Sequence, residues 1–481
     1  MKSLRIYFSL VCLVLCSCQP NASANLKPTI NFAIAQAPLN LDPRYATDAA
    51  SERVNRLLYQ RLVEFDAASL PIPGLADWHM LTQQHYRFTL KPSATRFHDG
   101  KPLTVADIKA TYASLLSLKG APHSAEFSHI QAMQIVDAKT LDFYLSQPDT
   151  HFAEKLIIGI LPKHLIAQGH DFSRQPIGSG TLKFVSWQGK LLLQRMQDSQ
   201  LIALTEVKDP TVRVLKLLRG EADVLQGDLP PELVKYLQTK PEVKVNTGAG
   251  ANFSYLGLNI QDPLLAQLKV RQALAHAIDR PAIIQSVMVA SSRLASALLP
   301  PEHYAGNGSL VPYAYNPVLA KQLLTEAGIQ LPLKLVYKTS TDAQRVRFAT
   351  ILQAQMQPAG IDLEIRSLDW GTFFEDVKQG QFQLYGLTWV GIRTPEIYAK
   401  AFGADYFPPK GFNRGRYADA ELDALLAQER WPAATQRIHA QLPVIPLWYE
   451  GQFVAYRNSI QAYLPPADGN WDGLANIIRL K

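Results

Sequence analysis

Between residues 316 and 366 the chain gives the same local instruction twice, and nothing else in it constrains the fold as tightly. Asn316 and Pro317 put a cap residue and a proline where a helix N-terminus favours them. Ala320, Leu323, Leu324 and Ala327 recur at helical spacing as a buried stripe, and Gly328 closes the helix. Leu333, Leu335 and Tyr337 then mark a strand. In the second round Val346, Ala349, Leu352 and Met356 form the stripe, and Pro358 and Gly360 stop it. Leu363 and Ile365 follow, alternating with Asp362, Glu364 and Arg366. Helix, tight turn and strand in repeated succession predict an α/β layer. The two units match too poorly to count as a sequence repeat.

The first half is punctuated less sharply. Ile30, Phe32 and Ile34 alternate over 29–35 as a strand, and Leu41-Asp42-Pro43 ends the segment because the residue before a proline is pushed out of the helical region. Val54, Leu57, Leu58, Leu62 and Val63 predict a helix over 52–65, and the proline- and glycine-rich 71–76 a turn. Residues 86–90 alternate as a strand with an aromatic face. Residues 97–101 form a polar turn, after which Thr104 caps a helix with Asp107 three residues on.

All three cysteines, Cys12, Cys16 and Cys18, lie at the N-terminus. The remaining chain therefore has no disulfide, thiolate metal site or cysteine nucleophile, and must hold itself together by core burial. At 481 residues it can do so, in more than one lobe. Lys2 and Arg5 precede an apolar run from 6 to 15 that is too short to span a bilayer. The run ends in Leu15-Cys16-Ser17-Cys18, which resembles the lipobox of bacterial lipoproteins. That resemblance implies removal of residues 1–17 as a signal peptide, lipidation of Cys18 and anchoring to a membrane. A plain secretory signal cut near Ala22, Ser23 and Ala24 is the alternative. Gln19 leaves the membrane that carries the anchor undecided.

The formal net charge of +7 is scattered, with no run of lysine or arginine, which argues for a solvated surface and against nucleic-acid binding. Enzyme motifs mostly fail. Gly248-Ala249-Gly250 and Gly306-Asn307-Gly308 begin dinucleotide fingerprints, but Phe253 and Val311 stand where the third glycine belongs. No phosphate-cradling loop is present, and Gly178-Ser179-Gly180 lacks the spacing of a nucleophile turn. The eleven histidines are dispersed, with His123 and His129, and His164 and His170, at separations that fit no common metal site. Paired carboxylates for glycoside hydrolysis stay open, because their spacing is spatial. What remains is aromatics beside glycine: Trp370 before Gly371, Trp389 near Gly391, and Trp448-Tyr449 near Gly451.

These pieces occur in an order that resembles the family 5 solute-binding proteins, the peptide, dipeptide and nickel receptors of ABC importers. Leu41-Asp42-Pro43, Pro73-Gly74-Leu75-Ala76 and Phe97-His98-Asp99-Gly100-Lys101 come first. Ile177-Gly178-Ser179-Gly180 before Trp187, Val270-Arg271-Gln272-Ala273-Leu274 and Ala277-Ile278-Asp279-Arg280 follow. The helix from Asn316 and the segment from Pro443 to Trp448 complete the set. The resemblance implies an α/β, two-lobed periplasmic-binding-protein fold of type II, cluster C, with an inserted domain. Lobe I would comprise 26–52, 176–257 and 453–481, the insert 53–175, and lobe II 258–452. It further implies a monomer of the cell envelope or periplasm that takes a peptide or other small solute between its lobes, delivers it to the permease, and makes or breaks no bond. No cofactor is expected. A cell-envelope hydrolase using two cleft carboxylates is the alternative.

The resemblance also nominates site residues. In peptide-binding relatives the segment equivalent to 389–395 carries a tryptophan that covers the ligand and an aspartate that meets its α-ammonium. Here Trp389 and Pro395 match, but Ile392 stands at the aspartate position and Arg393 follows, offering donors to a carboxylate or phosphate. Glu396 is a second candidate partner for an ammonium. Trp370 and Tyr449 match aromatic cleft positions, Gly391 lies in the same loop, Ala37 and Pro38 follow the first strand, and Tyr255 lies in the strand leading to lobe II. Arg271, His98 and Asp99 are expected to be structural.

Overall fold

One eleven-stranded sheet runs through both halves of the molecule, carried from one to the other by two long antiparallel strands, Val243–Leu258 and Val444–Arg457. The computed structural model describes residues 28–92, 95–118, 121–461 and 463–480; Cys18 and the expected signal segment lie outside them. From one edge the order is Leu182–Gln188, Lys190–Arg195, Leu201–Glu206, Ile30–Ile34 and Val224–Gln226, then the two long strands, then Leu384–Trp389, Leu333–Ser340 and Ile361–Leu368; the eleventh strand, Arg293–Leu294, pairs with Val444–Arg457 off this line. Ile30–Ile34 pairs in parallel with both neighbours, as Leu333–Ser340 does in the other half. The long strands break register between Gly248 and Asn252, where the ladder passes from one half to the other.

The α/β reading of 316–366 holds. Asn316 Oδ1 accepts from the Leu319 N–H at 2.9 Å to start the helix Pro317–Glu326. Gly360, with φ of 78°, closes the turn after Ala343–Met356 so that Ile361–Leu368 can begin. Ala320, Leu324, Ala349, Leu352 and Met356 bury their stripes against Leu335 and Leu363 of the sheet. The opposite face of this half packs an aromatic core that includes Phe253, Tyr385, Tyr398 and Tyr449.

In the other half Ile30, Phe32 and Ile34 pack with Leu193, Leu204 and Val224, and Trp471 meets the Phe32 ring edge-on at 5.2 Å. A separate four-stranded sheet, with Ala76–Thr82, His85–Leu90, Thr140–Leu145 and Ile130–Ile135 in that order, has its own core around Phe88, Tyr112, Phe143 and Phe152. Asp107 Oδ2 accepts from the Thr104 N–H at 2.8 Å, fixing the start of the helix Val105–Ser117 that covers it.

Three local expectations need correction. The helix predicted over 52–65 is Ala49–Leu58; Tyr59 turns extended and its hydroxyl donates to the Leu41 carbonyl, so Leu62 and Val63 continue the spacing by coincidence. Val63–Phe65 instead pairs with Pro71–Pro73, which is a short strand where a turn was expected. The expected boundary at 52/53 would cut the helix, yet Val54, Leu57, Leu58 and Tyr59 all belong to the Phe32 core. The two motifs around 97–101 and 178–180 meet each other: His98 N–H donates to the Gly178 carbonyl at 2.7 Å, and the His98 Nε2 lies 3.0 Å from the Gly180 carbonyl oxygen. Arg271 spends its guanidinium on the carbonyls of Leu265, Ala266 and Gln441.

Candidate solute-binding cleft

A cavity of about 660 Å³ opens where several segments distant in sequence converge. The helix Ala49–Leu58 presents Glu52, Arg53, Asn55 and Arg56 to it. The chain after the four-stranded sheet adds His151, Glu154 and Lys155. The loop 390–396, which follows the strand Leu384–Trp389, adds Gly391, Arg393 and Glu396. The segment at 468–470 adds Asp468 and Asn470. The walls therefore come from both halves and from the four-stranded insert.

Local sequence explains the loop. Gly391 takes φ of 70°, which a side chain would strain, and lets the chain turn away from the sheet. Pro395 then opens the helix Glu396–Phe402. Arg393 is left pointing its guanidinium across the gap, where Nη2 donates to Asp468 Oδ2 at 3.3 Å over the Phe65 ring. Its other N–H groups have no hydrogen-bond partner among the described residues. Burial pushes Arg393 down to about 10, nearby Arg56 and Arg61 push the same way, and Asp468 opposes them. Arg56 and Arg61 are themselves engaged, with Asp472 and Glu64 respectively. Arg53 forms no ion pair among the described residues and lies 5.4 Å over the Trp471 ring.

The far rim is pinned by charge. Lys155 Nζ reaches Asp149 at 2.8 Å and Glu396 at 3.0 Å, joining insert to lobe. Burial works to raise the Glu396 carboxyl, but Lys155 and Lys400 together hold it below the ordinary range. Burial raises Glu52, with His123, Arg61 and Arg393 opposing. Among the described residues no group of three or more His, Cys, Asp or Glu side chains is placed to hold a metal ion.

Of the residues nominated from sequence, Gly391, Arg393 and Glu396 line this cavity. Trp389 does not. It stacks on Tyr255 with centroids 6.4 Å apart and packs against Phe412, whose ring does reach the cavity. Tyr255 is buried, its hydroxyl accepting from Arg414 Nη1 at 3.0 Å. Tyr449 is a core residue, 1% exposed, because its hydroxyl is taken up by the carbonyls of Ala297 and Leu299. Trp370 is 51% exposed at a helix start, stacked on Phe374 under Arg345, away from the cavity lining. Ala37 and Pro38 also lie outside the lining; the Ala37 N–H donates to Glu206. Sequence reasoning missed the helical face of Glu52, Arg53, Asn55 and Arg56, although charged and amide residues there at i, i+3 spacing are a visible signal.

Two α/β halves joined through paired strands, with a cavity of mixed charged and apolar lining between them, define a two-lobed binding protein of type II. The profile of the Bacterial extracellular solute-binding proteins, family 5 Middle, matches residues 71–405, well over half of the chain, and the chain belongs to that family. Its sequence is 27% identical to the Probable di/tripeptide-binding protein 5 of Pseudomonas aeruginosa (strain UCBPP-PA14), over 95% of this chain and 96% of that protein. It is 24% identical to the Dipeptide-binding protein of Escherichia coli (strain K12), over 91% and 92%. The structure of HbpA2 from Haemophilus parasuis is similar in fold, with a TM-score of 0.82 and 24% identity over 94% of this chain and 100% of that one.

Proposed function

We propose that this protein is the extracytoplasmic receptor of an ABC importer, closing its lobes on a peptide or peptide-like solute and delivering it to the permease. The observation that carries the reading is the cavity itself. At about 660 Å³ it is the size of a small-ligand site, and its walls come from parts of the chain that a hinge can separate. A solute touching both sides favours the closed form by its differential contacts alone. The relatives named for dipeptides and tripeptides support the peptide class. In this reading Gly391 and Arg393 touch the solute, while Trp389 and Tyr255 back the wall through Phe412.

The lobe division follows 26–52, 176–257 and 453–481 for lobe I, 53–175 for the insert and 258–452 for lobe II, with the first boundary moved beyond Tyr59. Cleavage after residue 17, a lipid on Cys18 and a monomeric state complete the proposal. No catalysis is assigned to the cleft.

The test is a thermal-shift screen of the purified protein against dipeptides and tripeptides, with opines, sugars and metal ions as comparison sets. A concentration-dependent rise in unfolding temperature confined to peptide-like compounds supports the reading. Turnover of a chromogenic substrate by this chain alone would replace it with the hydrolase.

A further inference from the structure

Two features of the cavity wall are left short of hydrogen-bond partners among the described residues. Asn55 is only 6% exposed and lines the cavity, yet neither its Nδ2 nor its Oδ1 has a hydrogen-bond partner among the described residues. A buried amide left without partners is costly, and native structures rarely tolerate one that serves no purpose. Its helix is not short of fixings: Asp48 caps it, and Val54, Leu57 and Leu58 seat it in the core. The second feature is Arg393, a guanidinium mostly withdrawn from water that makes one 3.3 Å contact. That contact is to Asp468, whose carboxylate already accepts from the backbone N–H and the side-chain amide of Asn470. Arg53, next to Asn55 but one, adds a further guanidinium with no ion pair.

We propose that Asn55 and Arg393 form one recognition point for a peptide amide next to a carboxylate, so that the receptor selects peptide-like solutes that present a free carboxylate there. The Asn55 amide has both a donor and an acceptor to offer a peptide group. The Arg393 fork supplies parallel N–H donors that match a carboxylate, and Arg53, which forms no ion pair among the described residues, adds positive charge to the same wall. Arg393 comes from the loop after Trp389 and Asn55 from the helix Ala49–Leu58, so one solute end engages both sides of the cleft. The carboxylate has two possible sources, a chain terminus or an acidic side chain, and both present the same chemistry. The inference rests on the receptor reading above.

Titration calorimetry of the full mature chain with Ala-Glu, Ala-Gln, Ala-Lys and the C-terminal amides of the first two tests it. Ala-Glu is expected to bind at least about tenfold more tightly than Ala-Gln amide, which carries no carboxylate. Retained affinity for Ala-Glu amide with loss for Ala-Gln assigns the side-chain carboxylate; retained affinity for Ala-Gln with loss for both amides assigns the terminus. Arg393→Gln removes the preference, Arg393→Lys restores part of it, and Asn55→Ala weakens all bound probes about tenfold. Each variant is checked for an unchanged circular dichroism spectrum. Asn55→Ser, which keeps a polar group at lower bulk, stands in if the alanine variant does not fold. Equal affinity for Ala-Glu and Ala-Gln amide, or a preference that survives Arg393→Gln, overturns the inference while leaving the receptor intact. Failure of every probe to bind removes the peptide reading and this inference with it.

Discussion

The imidazole of His151 stands between two carboxylates from distant parts of the chain. Glu154 Oε1 lies 2.8 Å from Nδ1, and Glu429 Oε1 lies 3.0 Å from Nε2. Glu154 shares the insert with His151, whereas Glu429 follows the helix Ala420–Ala427 on the other side of the cleft. The hydrogen bond to Glu154 is the main cause that lifts His151 to about 9, and Glu429 adds to it.

This bridge has a pH signature. The folded value lies above the ordinary histidine value of about 6.5, so its contribution is complete below that pH and is lost as pH rises through about 9. The ring is partly exposed, and solvent screening limits the effect to about 1 kcal/mol. Denaturant unfolding between pH 6.5 and 10 should show this loss in the wild type. His151→Gln should remove that part of the pH dependence.

The crossing point between the lobes admits no side chain. A Cβ on Gly250 would lie 1.8 Å from the Glu450 carbonyl oxygen, within the irregular stretch where the long strands change register. Gly250→Ala is expected to cost about 1–3 kcal/mol, by forcing the two strands apart. Chemical denaturation measures the cost, and a fall in solute affinity should accompany it if the strands act as the hinge.

Arg271 offers the opposite case, a charged residue with a purely structural task. Replacing it by leucine strands the carbonyls of Leu265, Ala266 and Gln441, of which that of Leu265 is buried. The expected loss is about 3 kcal/mol of stability with solute affinity unchanged, read from paired denaturation and calorimetry.

How much of this was legible in the sequence depends on distance along the chain. The units around Asn316 and Gly360 were readable because caps and stripes are local. The helix ending at Leu58 was overrun because Leu62 and Val63 keep its spacing, and only the Tyr59 contact with Leu41 shows that the chain has turned. Pro71–Pro73 was misread because prolines mark turns more often than strands. At the site, Gly391 and Arg393 were nominated by their loop. Asn55, Arg53 and Asp468 were not, since the wall joins segments far apart in sequence. Tyr449 failed for a further reason: which face of a strand meets a cleft depends on register, and its hydroxyl partners at Ala297 and Leu299 fix it in the core.

Trp389 should report on binding although it does not line the cavity. Its ring packs on Phe412, which does, and lies 4.7 Å from the Arg414 guanidinium. Solute binding is expected to change the intrinsic fluorescence, and Trp389→Phe to remove most of that change while the other six tryptophans remain. A response that persists undiminished would place the moving aromatic elsewhere.

The most direct measurement is mass spectrometry of the small molecule released when protein purified from its native host, without denaturation, is unfolded. The account predicts one peptide-like solute per chain, carrying a carboxylate. Release of a sugar, a metal complex or a neutral lipid in that stoichiometry would contradict it.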